Sequence, residues 1–230
     1  MPIKLQWLGH SAFLLDLSGH SVLIDPFLTG NPLASIEPGD VSPEVILLSH
    51  AHGDHLGDTV DIAKANNAPV ITNFEISNYM TAQGVENVAG LNPGGTGDFD
   101  FMTVRFTRAY HSSSFPDGSY GGVPCGFVIT EKDSGKTIYF AGDTALFSDM
   151  ALIGDLGINL AILPIGDFYT MGPADSIRAI QWLRPQIVLP MHYNTFPPIT
   201  QNASEWAEKV NTDTDATPIV IDPGGEYTLA

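Results

Sequence analysis

Positive charge is scarce in this 230-residue chain: nine Lys and Arg stand against 26 Asp and Glu, for a net charge of −17. A surface so acidic repels polyanions, which argues against nucleic acid as a partner. Cysteine is nearly absent, and the single Cys125 excludes an internal disulfide and is compatible with a reducing compartment. No uninterrupted apolar run approaches the length needed to span a bilayer. The opening Met-Pro-Ile-Lys-Leu-Gln-Trp lacks a charged region leading into an apolar core, so no signal peptide is expected. The expectation is a soluble, cytoplasmic chain with no membrane partner. Two catalytic signatures are also missing, the Gly-x-Ser-x-Gly elbow and the His-Glu-x-x-His helix, so covalent catalysis and a zincin site are disfavoured.

Glycine and proline are plentiful, at 23 and 17 residues, which fits many short elements joined by tight turns. The length suits one domain, residues 1–230, with a full core. Period-two patterns predict early strands over 3–7, 12–17 and 21–25, then a buried strand over 44–49. Helices are expected over 57–65, 74–83, 146–156, 173–183 and 203–211. Further strands are expected over 69–72, 100–109, 126–130, 137–141, 160–165, 187–190, 219–222 and 226–229, with Asp133-Ser134-Gly135 as a hairpin turn. An early meander followed by helix–strand alternation argues for an α/β chain of stacked sheet and helix layers.

Against that background the histidines stand out. His50-Ala51-His52-Gly53-Asp54-His55 places four metal-ligating side chains in six residues, although such residues are costly to bury unpaired. On a helix His50 and His52 would point to nearly opposite sides, and on a strand His55 would point away from the other three. The run is therefore expected to be a loop that wraps around a centre, with Gly53 supplying backbone freedom. His111, Asp143 and His192 each follow an apolar, strand-like segment. Imidazoles with carboxylates suit zinc, manganese or iron better than calcium or magnesium. Seven candidate ligands are too many for one tetrahedral ion, so two divalent transition ions are expected, most simply zinc, with manganese or iron as alternatives.

These residues resemble the metallo-β-lactamase superfamily, in the order His50-x-His52-x-Asp54-His55, His111, Asp143, His192. Further matches lie at Trp7-Leu8-Gly9-His10-Ser11, Ile24-Asp25-Pro26-Phe27, Ala109 to Ser114, Ala141-Gly142-Asp143-Thr144, Ile165-Gly166-Asp167, Met171-Gly172-Pro173 and Pro190 to Asn194. Together they are similar to a branch of compact metal-dependent hydrolases related to L-ascorbate-6-phosphate lactonase. The resemblance implies a four-layer αββα sandwich with metals at one edge of its two sheets. It also implies that His50, His52 and His111 hold one ion, that Asp54, His55 and His192 hold a second, and that Asp143 bridges them. Asp25 would lie beneath the ligand loop and orient an imidazole, and Asp167 would sit near the metals.

The expected activity is hydrolysis of an ester, lactone or phosphoester of a small molecule by a metal-bridging hydroxide, since metal-bound water can have a pKa of about 7. Asp54, besides ligating, would orient the nucleophile and accept its proton. His10, Asn194 and Phe196 are candidates for the substrate pocket. Two other functions compete, a metal-dependent nuclease and a non-catalytic metal-binding regulatory module. The acidic charge opposes the first, and the intact ligand set opposes the second. A homo-oligomer is left open.

Overall fold

The computed structural model describes residues 2–230. In chain order its elements are β1 (Ile3–Gly9), β2 (Ala12–Leu17), β3 (His20–Ile24), β4 (Val45–Leu47), α1 (Gly53–Leu56), α2 (Thr59–Asn66), β5 (Val70–Asn73), α3 (Phe74–Ala82), β6 (Val88–Leu91) and β7 (Thr96–Asp98). There follow β8 (Met102–Arg108), β9 (Cys125–Glu131), β10 (Thr137–Phe140), α4 (Met150–Gly154), β11 (Leu160–Pro164), α5 (Pro173–Leu183), β12 (Ile187–Met191), α6 (Ala203–Asp213), β13 (Thr217–Pro218) and β14 (Glu226–Leu229).

Two seven-stranded sheets result, ordered β14-β1-β2-β3-β4-β5-β6 and β13-β12-β11-β10-β9-β8-β7. Each is antiparallel on one side and parallel on the other, with β3 to β6 and β10 to β13 running parallel. Alternation along the strands of the first sheet sorts its side chains. Phe13, Leu15, Val22, Ile24, Val45, Leu47 and Ile71 join the larger core with residues of the second sheet. Ala12, Leu23, Ile46 and Val70 instead cluster with Ile62, Ala63, Ile76 and Met80 of α2 and α3. A strand with both faces apolar is one covered on both sides. On the far side of the second sheet, α4, α5 and α6 add Met150, Ile180, Leu183 and Trp206 to the larger core. The architecture is the expected α/β four-layer αββα sandwich. No helix among the described residues is long and apolar enough to cross a membrane.

The expected elements shift in places for local reasons. The metal run is a loop only in its first half, because Gly53–Leu56 closes one helical turn with His52 as its N-cap. The helix expected from Gly57 starts at Thr59, since Gly57 (φ 38°) breaks the chain between α1 and α2. The helix expected over 146–156 shrinks to Met150–Gly154. Residues 219–222 are not a strand. Ile219 makes one further ladder bond to Val188 O, after which the chain leaves β13 and crosses to the other sheet, where β14 pairs with β1. Two edge strands, β6 and β7, were not expected, because Val88-Ala89-Gly90-Leu91 and Thr96-Gly97-Asp98 carry no apolar alternation.

Candidate metal centre

The carboxyl ends of six strands meet at one edge of the sandwich. β1 ends at His10, β3 at Asp25 and β4 just before His50, while β8, β10 and β12 lead into His111, Asp143 and His192. Such strand ends are where open α/β sheets place their sites. Nine non-glycine residues have positive φ among the described residues; four of them (His10, Asp25, His192 and Asn194) belong to these strand-end turns, and Asp167 and Phe168 follow the neighbouring β11. Backbone strain of this kind costs about 1–3 kcal/mol per residue and gathers where side chains must be aimed.

Asp25, fully buried, organises one side of the centre. Its carboxylate accepts from Ser49 N (2.8 Å), Ser49 Oγ (2.5 Å) and His55 Nδ1 (2.7 Å). Because the Ser49 hydroxyl donates to Asp25, Ser49 Oγ accepts from His50 Nδ1 at 3.0 Å. Both imidazoles therefore carry a proton on Nδ1 and turn Nε2 toward the centre. His50 Nε2 lies 3.1 Å from His52 Nδ1, and the ring of His111 stands 5.3 and 5.0 Å from those of His50 and His52. Asp143 Oδ2 gathers His192 Nε2 at 2.9 Å, His55 Nε2 at 3.3 Å and His111 Nε2 at 3.6 Å.

The electrostatics call for a cation. Burial disfavours charge on His55, yet Asp143 and Asp25 outweigh it and hold that imidazole well above its usual pKa. Burial likewise opposes ionisation of Asp143, but His192 and His55 hold its carboxyl well below the usual range. Burial raises Asp25 and depresses His50. Without a metal, a proton on His55 supplies the positive charge that the carboxylates demand, and a divalent ion would displace it. His55 Nε2, His192 Nδ1 and Asp143 Oδ1 are buried with no hydrogen-bond partner. Imidazole and carboxylate donors with unmet valence fit a borderline transition ion.

The other expected residues divide. Asp54 sits at the mouth of the centre with its side chain 32% exposed, and its carboxyl is held well below the usual range. Burial opposes that shift, while the contact with His10 and the charge of His55 drive it. His10 is fully buried in the β1–β2 turn rather than on the pocket rim. Phe196 lies edge-on to it, with ring centroids 5.6 Å apart. The Asn194 side chain is taken up in its own turn, where Oδ1 accepts from Gln201 N at 2.8 Å, so it does not line the cleft. Asp167 is exposed, and among the described residues its carboxylate makes no hydrogen bond to a ligand imidazole. Its backbone closes a turn with Thr170 and Met171 instead.

A cleft of about 340 Å³ opens over the centre, lined by His52, Asp54, His111, Ser112, Asp143, Tyr169 and His192. A neighbouring cleft of about 700 Å³ shares His111 and Ser112 and adds Tyr110, Tyr120 and Arg108, whose guanidinium stands 5.1 Å from the Tyr110 ring. Ser49 and Arg108 were not singled out from sequence. Ser49 reads there as the end of a strand, and Arg108 as one solvated charge.

Fold and centre together define a two-sheet sandwich that carries a candidate histidine–aspartate metal centre at its strand ends. The chain belongs to the family described as the beta-lactamase superfamily domain, whose model matches residues 4–192. It is 50% identical over 207 residues to a UPF0173 metal-dependent hydrolase of Thermus thermophilus, covering 90% of this chain and 91% of that one. A Bacillus cereus protein of the same name is 47% identical over 233 residues, covering 99% and 100%. Among solved structures, Igni18, a metallo hydrolase from Ignicoccus hospitalis, superimposes with a TM-score of 0.92 at 37% identity, covering 100% of this chain and 99% of that one.

Proposed function

We propose that the chain is a hydrolase that uses two divalent transition ions to cleave an ester, lactone or phosphoester bond in a small molecule. One observation carries the reading: imidazoles from α1 and from the ends of β8 and β12 converge on a single buried carboxylate oxygen, Asp143 Oδ2, at the floor of an open cleft. An oxygen met by imidazoles of both proposed ligand sets, His111 of one and His55 and His192 of the other, supports a bridging role. His50, His52 and His111 would hold the first ion, Asp54, His55 and His192 the second, and Asp143 both. Zinc suits the imidazole-rich set, with manganese or iron as the alternatives. Bound there, two such ions would lower the pKa of a shared water and polarise the electrophile.

The remaining work falls to the chain. Asp54, ionised at the cleft mouth, orients the attacking water and accepts its proton. Asp25 fixes the tautomer of His55 directly and that of His50 through Ser49. Tyr169 forms part of the cleft wall that would meet the substrate. The names of the relatives, metal-dependent hydrolases over nearly their full length, support the reaction class. A cytoplasmic location belongs to the same reading and is supported by the lone, buried thiol of Cys125, which needs no oxidising compartment.

The test is metal analysis of protein purified without added ions, paired with a screen of esters, lactones and phosphodiesters. Two equivalents and turnover are expected, with Asp143→Asn losing one equivalent and all turnover. Unchanged turnover in that variant, or a metal content near zero, refutes the proposal.

A further inference from the structure

Two imidazoles of the centre share a pattern that extends to a residue outside the seven ligands. In His55 and His50, Nδ1 is anchored to a protein oxygen and Nε2 faces inward. His10 does the same. Its Nδ1 meets Thr195 Oγ1 at 2.8 Å, and the Thr195 hydroxyl is directed at Tyr193 O, 3.5 Å away. Its Nε2 points the other way and lies 3.3 Å from Asp54 Oδ2. Like His55 Nε2, it is buried without a hydrogen bond of good geometry. One ligand atom from each of His10, Asp54, His55 and His192 lies within 4.8 Å of all the others. The ring of His10 is 4.1 Å from that of His192, centroid to centroid.

We propose that His10 is an eighth metal ligand, completing a set of His10, Asp54, His55 and His192 on the second ion. The inference rests on the two-ion reading and makes the two sites unequal. The first has three imidazoles and the shared Asp143, a four-donor set that suits tetrahedral zinc. The second has four donors of its own plus Asp143, a five-donor set that favours an ion of higher coordination number, manganese or ferrous iron.

His10→Asn isolates the side chain. Asparagine tolerates the φ of 56° at this turn. The backbone role is retained, because His10 O would still accept from Trp7 Nε1 and His192 N. The amide is too short to replace Nε2. Thr195→Val is the second variant, removing the oxygen that orients the ring while leaving His10 in place. Metal-free protein is titrated with Co²⁺ and followed by its visible absorption, which is weak for six-coordinate and strong for four-coordinate cobalt. Equilibrium dialysis against Mn²⁺ runs in parallel.

The wild type should bind two equivalents, the second with the weaker absorption. Each variant should bind the first unchanged and the second about tenfold or more weakly, as loss of a supporting residue does elsewhere. In His10→Asn the absorption of the second equivalent should also intensify. Unaltered second-site affinity and spectrum in a folded variant would overturn the role of His10 and leave the two-ion reading standing. A wild type that binds only one equivalent would overturn both.

Discussion

Asp25→Asn probes the centre where its geometry is best defined. The amide keeps the shape of the carboxylate, so Oδ1 can still accept from Ser49 N. The group replacing Oδ2 becomes a donor and faces two other donors, Ser49 Oγ and His55 Nδ1. His55 escapes the conflict by moving its proton to Nε2 and accepting at Nδ1. That places an N–H where a lone pair must face the metal, beside Asp143 Oδ2. Loss of such an orienting partner typically weakens metal binding by about 10–100-fold, or about 1.4–2.8 kcal/mol. The fold should suffer less. Two hydrogen bonds worth about 1.5–3 kcal/mol each are lost, but so is a buried carboxylate whose ionisation burial already opposes.

The assay is competition with a chromophoric chelator at neutral pH, beside a urea melt of the metal-free protein. The expected result is a selective loss of affinity for the ion held by His55, together with a matching fall in kcat. Wild-type affinity in Asp25→Asn would show that His55 is not held in one tautomer by Asp25, and the reasoning would fail.

Metal should also govern stability. Ions that bind only the folded chain stabilise it by about 4 kcal/mol at a thousandfold excess over Kd, so a chelator should lower Tm and zinc or manganese should restore it. In metal-free protein, burial pushes His10 down to about 4 from 6.5, with Asp54 opposing. Between those values the unfolded chain binds a proton that the folded chain does not. The contribution of His10 to stability therefore falls as pH drops through that window and levels off below it, by at most about 3 kcal/mol. Urea midpoints at pH 7 and 4.5 should differ less in His10→Asn than in wild type. Gly57→Ala should destabilise by about 2–5 kcal/mol, because a Cβ at φ 38° would stand 2.6 Å from Phe27 Cα; a wild-type melting temperature would refute this. Ser176→Ala should cost about 1–3 kcal/mol by orphaning Trp206 Nε1, which now donates to Ser176 Oγ at 2.7 Å across α5 and α6. An unchanged denaturant midpoint would show that the contact is immaterial.

Much of the fold was legible because burial on both faces leaves a mark in the residues. Leu160 to Ile165 and Ile187 to Pro190 read as apolar runs flanked by turns, and both became inner strands. The marginal elements were not legible. β6 and β7 lie at sheet edges, where half of the backbone pairing and little side-chain burial decide the outcome. Residues 219–222 are as β-branched as a strand, but their path is set by the need to carry the chain from one sheet to the other. That constraint is global and leaves no local signature.

The centre divides along a similar line. A ligand announces itself because imidazole is uncommon, with seven histidines in the chain, and stands together with aspartate from His50 to His55 and at three later strand ends. A supporting residue acts only through position. Ser49 is an unremarkable residue at the end of an apolar run, yet it joins Asp25 to His50 and so couples the tautomers of two imidazoles. His10 and Thr195 are 185 residues apart and meet only once β1 and β12 end at the same edge. Conversely, Asn194 has the right residue type beside the right motif, but its side chain is taken up in its own turn. Donor chemistry can therefore be read from composition and order, whereas aim belongs to the fold. The turns with positive φ at His10, Asp25 and His192 are where the fold sets it.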